Sequence, residues 1–530
     1  MQESSALNER GDNLAYPTLG RTVYFFDIET DGFVETLTQI HSLVLREATT
    51  GATISCTDNA YDRSPSSLSH QVLSIAEGLQ ILAEADAIIG HNIMSFDIPA
   101  IQKVKPDWKP KGIVRDTLVL SRLMYPDMFE KDSVQAASKL KRGKPWIEKK
   151  LWGSHSLEAW GQRLGLWKGD YGQIRKAEAK ELGLKGDAAT AYIWGEWSPA
   201  MQEYCEQDVV VTERLFQKLW GMGFSEESIE LEHSVRAIVS RQEAYGFLFD
   251  VKAGQSLYST LVAERDRIER DLQKEFRPWW RSEGLVKINA DRRVSRPDLG
   301  QATYRRFSEK TGKELKPYVG PVKETYHEGG VYLKISLRPF NPGSRQDIAD
   351  RLMKLYGWKP KEFTPDGRPK VDEEILSSLK YPAAKLLTEY LMIQKRIGQL
   401  AEGKQAWLRK VGPDNRIHGR VNTNGAVTGR MTHSDPNMAQ VPSSSAPFGH
   451  ECRALFTVPK GKRLVGCDAD GLELRDLAGY MARFDGGSYV KTVLEGKKED
   501  GTDMHTLNAK ALGCDRNTAK TWFSTGTPGK

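Results

Sequence analysis

The sequence holds little that would take it out of a cell or into a membrane. No apolar run approaches the ~20 residues that span a bilayer. The opening residues, MQESSALNERGDN, are polar and lack the apolar core of a secretory signal. Cysteine is scarce. Its five copies, Cys56, Cys205, Cys452, Cys467 and Cys514, are odd in number, scattered, and never in a C-x-x-C pair. That distribution fits a reducing cytoplasm and excludes a disulfide frame or a zinc module built on paired thiols. There is no repeat of solenoid period and no long low-complexity run. Charge of one sign is barely in excess. A net +6 over 530 residues permits nucleic-acid binding without establishing it. What remains, 39% hydrophobic and 28% charged, is an ordinary globular composition, long enough for several folding units of about 150 residues.

Residues 1–20 read as an extension. From Arg21 to about Gly221, strand-like apolar runs (Val23–Ile28, Ile40–Leu45, Ala87–Gly90) alternate with helical stretches, which predicts an α/β domain. Residues 230–275 read as long amphipathic helices, with Leu231, Val235, Ile238 and Val239 on one face. Between 276 and 340 the chain is rich in Gly, Pro, Arg and Lys and poor in periodicity. This segment reads as a solvated loop region or a basic contact surface. Helical pattern returns at 372–403, followed by short strands up to one expected at Leu464–Cys467.

Two constellations carry chemistry. In RTVYFFDIET, Asp27 and Glu29 stand at i and i+2, on the same face of a strand and near its C-terminal end, where open α/β sheets place their sites. Adjacent carboxylates repel unless a hard divalent cation joins them. AIIGHNIMSFDIPAI places Asp97 after another buried strand and a polar turn. EYCEQDVVVTERLF sets Tyr204 and Asp208 one above the other on a helix. Four carboxylates and a phenol can hold two Mg²⁺ ions around a scissile phosphate, with Tyr204 orienting the attacking water. Singly each motif is ordinary; their order and spacing carry the weight. They resemble the DEDDy exonuclease superfamily over residues 21–220, its three motifs represented by FDIE, HNIMSFD and YCEQD.

The second constellation begins at RLVGCDADGLELRDLAGYMARF. A hydrophobic strand is expected to deliver Asp468 to its end, followed by a tight turn and a helix packing through Leu477, Tyr480, Met481 and Phe484. A carboxylate beside a free backbone carbonyl suits a Mg²⁺ carrying a triphosphate. Downstream, DMHTLNAKALGCDRNTAK puts Arg516 and Lys520 four apart on a predicted helix, both facing one side. With EYLMIQKRIGQLAEG and GRVNTNGAVTGRMTH upstream, these strings resemble family A DNA polymerases, in particular podovirus replicative ones, across residues 21–523.

The resemblance implies an α/β fold with an RNase H-like 3′→5′ proofreading exonuclease domain at 21–220, followed by a partial polymerase right hand. Residues 221–405 would be the thumb and connecting helices, with the basic insertion 276–340. Residues 406–510 would be a partial palm, and 511–530 the start of the fingers. It implies that Asp468 and the Ala469 carbonyl hold metal, with Mg²⁺ (or Mn²⁺) at two ions per active site. Glu473 would help exclude ribonucleotides, while His505, Arg516 and Lys520 contact the incoming dNTP and Arg430 the primer–template DNA. His155, in GSHSLEAWGQRLG, lies in a segment similar to one near the exonuclease site of podovirus polymerases, which implies an accessory role. The insertion occupies the place where some members bind host thioredoxin. The location implied is the host cytoplasm.

The pattern breaks at the end. The family's fingers helix should run past Lys520 into an aromatic residue and a glycine-rich turn, but here it reads TWFSTGTPGK, and no H-D-E string supplies a second palm aspartate. Two-metal nucleotidyl transfer needs both ions held. DNA synthesis is therefore expected only with a complementing C-terminal polymerase fragment. A free-standing exonuclease with a DNA-gripping polymerase remnant is the alternative. The intact set of exonuclease residues argues against a non-catalytic assembly subunit.

Overall fold

The computed structural model describes residues 17–59, 70–141, 146–166, 171–287, 290–308, 310–469 and 471–525. The chain divides into two compact units, Met1–Thr457 and Val458–Lys530. The first unit opens on a six-stranded mixed sheet of β1 (Val23–Thr30), β2 (Ile40–Glu47), β3 (Thr53–Cys56), β4 (His70–Leu73), β5 (Ala87–Gly90) and β6 (Ile113–Asp116). Their spatial order is β4-β3-β2-β1-β5-β6. β1, β2 and β3 pair antiparallel, whereas β1, β5 and β6 run parallel. Parallel neighbours require crossovers. Helices α1 (Ile75–Glu84) and α2 (Asp97–Val104) lie in the connections into β5 and β6.

All four residues of β5 are buried, as an interior parallel strand covered on both faces demands. β1 ends in alternation. Ile28 and Thr30 are buried while Asp27 and Glu29 share the half-buried opposite face, so the period-two reading of FDIET holds. Ser74 and Glu77 close a capping box that starts α1. The helix α3 (Thr117–Met124) follows β6 directly. The 22-residue helix Pro199–Trp220 packs across β1 and β2, with Phe216 edge-on to Phe25 at 5.7 Å.

Two long helices come next, Glu226–Tyr245 and Val251–Glu275. The second buries Leu257, Leu261, Ile268 and Leu272 in a core shared with the helix Pro382–Ile397. The first corrects the apolar-face expectation. Leu231 and Ile238 are exposed, and the inward positions are Ile229, His233, Arg236, Val239 and Glu243. Apolar spacing missed this face because much of it is polar and internally matched. Arg236 pairs with Glu243 at 2.5 Å and donates to the Val421 carbonyl at 2.8 Å, while Glu243 accepts from Val421 N–H at 2.6 Å.

The segment 276–340, read as a solvated loop region or a basic contact surface, forms two antiparallel ribbons, which corrects the loop reading. The strand β7 (Phe247–Phe249) precedes them. β8 (Trp279–Lys287) pairs with β11 (Val331–Arg338), and β9 (Arg292–Phe307) with β10 (Glu314–Tyr326). Two-stranded ribbons need not bury a face, and of these four strands β11 (VYLKISLR) alone alternates cleanly. β7 also joins β12 (Arg416–Ile417) and β15 (Phe456–Thr457), and β13 (Arg420–Asn422) pairs with β14 (Thr432–Ser434). The helical pattern expected at 372–403 appears as Glu373–Ser378 and Pro382–Ile397.

The second unit carries the helices Leu472–Asp485, Ser488–Glu495, Met504–Leu512 and Arg516–Thr525. Two expectations fail here. Leu464–Cys467 joins no sheet among the described residues, and Val465 is 86% exposed. The helix after it packs through Leu474 and Ala478, not through Leu477, Tyr480, Met481 and Phe484. Phe484 is 80% exposed. A strand needs a neighbouring edge and an apolar stripe needs a facing element, and sequence periodicity reports neither. Among the described residues no helix is long and apolar enough to cross a membrane.

Candidate active site

The face of β1 that carries Asp27 and Glu29 lies against the helix Pro199–Trp220, and that helix contributes Asp208. Oxygens of the three carboxylates lie within 4.8 Å of one another. Asp208 is buried, and Asp27 and Glu29 are half-buried. Like charges this close in a partly desolvated place are destabilising without a cation, and the all-oxygen donor set is the kind that hard divalent metals take. Tyr204 lies one helical turn before Asp208, its ring 6.0 Å from that of Tyr171.

Asp97 begins α2 and is buried. It lies outside the three-carboxylate group but is tied to it, because its Oδ1 accepts the N–H of Ile28, the residue between Asp27 and Glu29, at 3.2 Å. Burial, then the neighbouring Asp116 and Asp208, push the Asp97 carboxyl well above the usual carboxylate range. The approach is tight. A Cβ on Gly90, at the end of β5, would sit 2.8 Å from the Phe26 carbonyl and would clash with Ile93, so only glycine fits at that strand end.

His155 is not in the carboxylate cluster. It lines a cavity of about 640 Å³ with His91, Asn92, Arg122, Asn422 and Asn424. Its Nδ1 bonds Ser121 Oγ at 2.6 Å, and that hydroxyl also accepts from Trp160 Nε1 at 2.8 Å. Burial, with Arg122 and Arg163 nearby, lowers the imidazole to about 4. Sequence reasoning missed two residues at this site. Cys205, one residue after Tyr204, donates its thiol to the Asp27 carbonyl at 3.4 Å and is held well above the usual thiol range by burial and the surrounding carboxylates. Asp116, at the end of β6, bonds the loop that leads to Asp97. Neither has a spacing signature of its own.

In the second unit Asp468 and Ala469 are exposed, and Glu473 lies in the first turn of Leu472–Asp485. The turn before that helix abuts the start of the His505 helix, since a Cβ on Gly471 would be 3.4 Å from Met504 Cε. Asp503 caps the His505 helix and accepts from Arg516 at 3.0 Å, which ties the Arg516 helix to it. The carboxyl, also bonded by Thr506, is held down near 2. Lys520 lies one turn beyond Arg516 and is exposed. In the first unit, Arg430 is exposed on the connection between β13 and β14.

Comparisons with known proteins agree on one family. Residues 314–519 match the model of DNA polymerase family A. The DNA-directed DNA polymerase of Escherichia phage T7 is 35% identical over 94% of this chain, which spans 74% of that relative. The Enterobacteria phage T3 enzyme gives the same values. A thermostable DNA polymerase I from Thermus aquaticus is 25% identical over 59% of this chain and 30% of its own length. A solved structure, the POL domain of Pol1 from M. smegmatis in complex with DNA primer-template and dNTP, shares the fold. Its TM-score is 0.53 at 14% identity, covering 94% of this chain and 67% of that one.

Proposed function

The chain belongs to DNA polymerase family A, a nucleotidyltransferase family with phage DNA-directed DNA polymerases among its members, and on that premise we propose that its acidic site is a 3′→5′ exonuclease. The observation that carries this reading is the convergence of Asp27, Glu29 and Asp208 within 4.8 Å, one helical turn from Tyr204. Asp27, Glu29, Asp208 and Asp97 would hold two Mg²⁺ ions, or Mn²⁺ in their place. Bound there, such ions activate water and neutralise charge on the departing 3′ oxygen. The chain's own contribution is positional. Tyr204 orients the attacking water, and β1 and the Pro199–Trp220 helix hold the carboxylates in fixed register. His155, in its cavity beside Asn92, is an accessory residue.

The arrangement proposed is the exonuclease at 21–220 ahead of a right hand made of the thumb (221–405), palm (406–510) and fingers (511–530) residues. Asp468 and Ala469 would hold the polymerase metal. Glu473, His505, Arg516 and Lys520 would meet dNTP, and Arg430 primer–template. Together with this, the β8–β11 ribbon turns Trp280, Leu285, Leu333, Ile335 and Leu337 to solvent, with Leu285 opposite Leu333 and Trp280 opposite Leu337. An exposed apolar patch of this kind marks a contact surface, and host thioredoxin is the partner proposed. No retention of thioredoxin at micromolar concentration would remove it.

The test is incubation of the 530-residue polypeptide with Mg²⁺ and a 5′-labelled primer–template, with and without dNTPs. Shortening of the primer in both, without extension, is the expected result. A primer left unshortened without dNTPs would overturn the exonuclease assignment. Extension would show that synthesis needs no complementing fragment.

A further inference from the structure

The loop that presents Asp97 is held partly from outside itself. Between β5 and α2 the backbone passes through Asn92 in the left-handed region, φ 66°, which asparagine tolerates better than most non-glycine residues. The Asn92 carbonyl accepts from Ser95 and Phe96 N–H at 3.1 and 3.0 Å, so the turn is closed on one side from within. Two further N–H groups of the loop point to a single carboxylate. Asp116, 1% exposed, accepts from Asn92 N–H at 2.8 Å and from Met94 N–H at 3.0 Å, and also caps α3 through Leu118 N–H at 2.9 Å.

Asp116 is itself fixed from outside the sheet. Its backbone N–H donates to His233 Nε2 at 2.8 Å, while His233 Nδ1 bonds the Ile229 carbonyl at 2.8 Å. Because Nε2 accepts here, the second nitrogen carries the hydrogen, and the buried ring is held neutral in one tautomer. Burial also pushes the imidazole below its usual range. One helical stretch further on, Ser240 donates to the Met94 carbonyl at 3.1 Å. The helix Glu226–Tyr245 therefore bonds the loop directly through Ser240 and holds through His233 the residue that fixes it.

We propose that Asp116, held by His233, is a positioning residue for the exonuclease: it sets the loop that places Asp97 against Asp27, Glu29 and Asp208. The proposal rests on the exonuclease reading above. Neither residue touches substrate in it; both act through the backbone that carries Asp97. Groups that orient metal-binding carboxylates change metal affinity or activity by roughly 10–100-fold when removed.

The experiment compares wild type, Asp116→Asn, His233→Ala and His233→Gln on a 5′-labelled single strand, with Mg²⁺ titrated and with Mn²⁺ substituted. Asparagine keeps an oxygen for Asn92 and Leu118 but offers Met94 N–H no acceptor. Asp116→Asn should lower kcat about tenfold or more, raise the Mg²⁺ concentration for half-maximal rate, leave KM for DNA unchanged, and recover in part with Mn²⁺. His233→Ala should shift the same quantities in the same direction, and His233→Gln, which restores an acceptor, should return them toward wild type. Urea midpoints measured alongside separate this from unfolding. If Asp116→Asn does not fold, the two His233 variants decide. Wild-type kcat and Mg²⁺ dependence in the folded variants would overturn the proposal, as would losses that follow stability alone and ignore Mn²⁺. An inactive wild type would instead bring down the exonuclease reading, and this inference with it. An active wild type with Asp27→Ala/Glu29→Ala inactive and Asp116→Asn unaffected would bring down this inference alone.

Discussion

At the scale of single residues, the electrostatics of the carboxylate cluster and of His155 lead to separate measurements. Oxygens of Asp27, Glu29 and Asp208 within 4.8 Å repel in the absence of a cation, so a divalent ion that binds the folded state alone should raise stability by mass action. The melting temperature of the wild type should climb with Mg²⁺ concentration, and that of Asp27→Ala/Glu29→Ala should not. Equal responses would mean that the ion binds elsewhere. His155 gives a pH dependence. Its folded value is about 4 against an ordinary 6.5, so the unfolded chain takes up a proton over that interval that the folded chain refuses. Stability should therefore fall as pH drops from 6.5 toward 4, and His155→Gln should flatten that part of the curve. An unchanged slope would show that the ring is not held neutral. Asp27, Glu29, Tyr204 and Asp208 were legible because strand and helix periods of two and about four fix which side chains share a face. Cys205 and Asp116 were not. They act through a thiol-to-carbonyl contact and through loop N–H groups distant in sequence, which leave no period to read.

At the scale of elements, the helix Glu226–Tyr245 shows what hydrophobic patterning overlooks. Its inward face carries the Arg236–Glu243 pair, both partners about 5% exposed, and that pair is bonded to both backbone polar groups of Val421 on β13. Breaking one half of a buried, hydrogen-bonded pair costs about 3–5 kcal/mol, because a charge is left uncompensated. Glu243→Ala should lower the urea midpoint sharply, whereas Arg236→Met/Glu243→Leu should recover a large part of the loss. A single variant as stable as wild type would show that the helix does not depend on this clamp. The strands β1, β2 and β5 were legible as apolar runs, β5 with its bounds and β1 and β2 each two residues short at the C-terminal end, where the apolar run gives way to polar residues. The ribbons β8–β11 and β9–β10 were not: β11 alternates apolar and polar residues (VYLKISLR), but the other three strands do not, and their Arg and Lys residues suit solvent equally well. The expected strand at Leu464–Cys467 errs in the other direction: its side chains are apolar enough for a strand, but it joins no sheet among the described residues.

At the scale of the whole molecule, a mild net charge of +6 is consistent with a polymerase that meets DNA through local basic surfaces. Such contacts release counterions, so affinity for single-stranded DNA should fall linearly with salt on logarithmic axes, the slope reporting the number of phosphates engaged. A flat response would contradict backbone tracking. Family membership was legible from the order of motifs along the chain, since each string is ordinary alone and their succession is not. The packing of the second unit was not legible, because the outward apolar side chains of Leu472–Asp485 depend on neighbours that periodicity does not describe. The most direct test of the central claim is the rate at which the chain shortens a 5′-labelled single strand in saturating Mg²⁺, measured for the wild type and for Asp27→Ala/Glu29→Ala. The account predicts stepwise removal of 3′ nucleotides by the wild type and none by the double variant with its fold intact. Undiminished degradation by the double variant would contradict it and place the nuclease chemistry elsewhere.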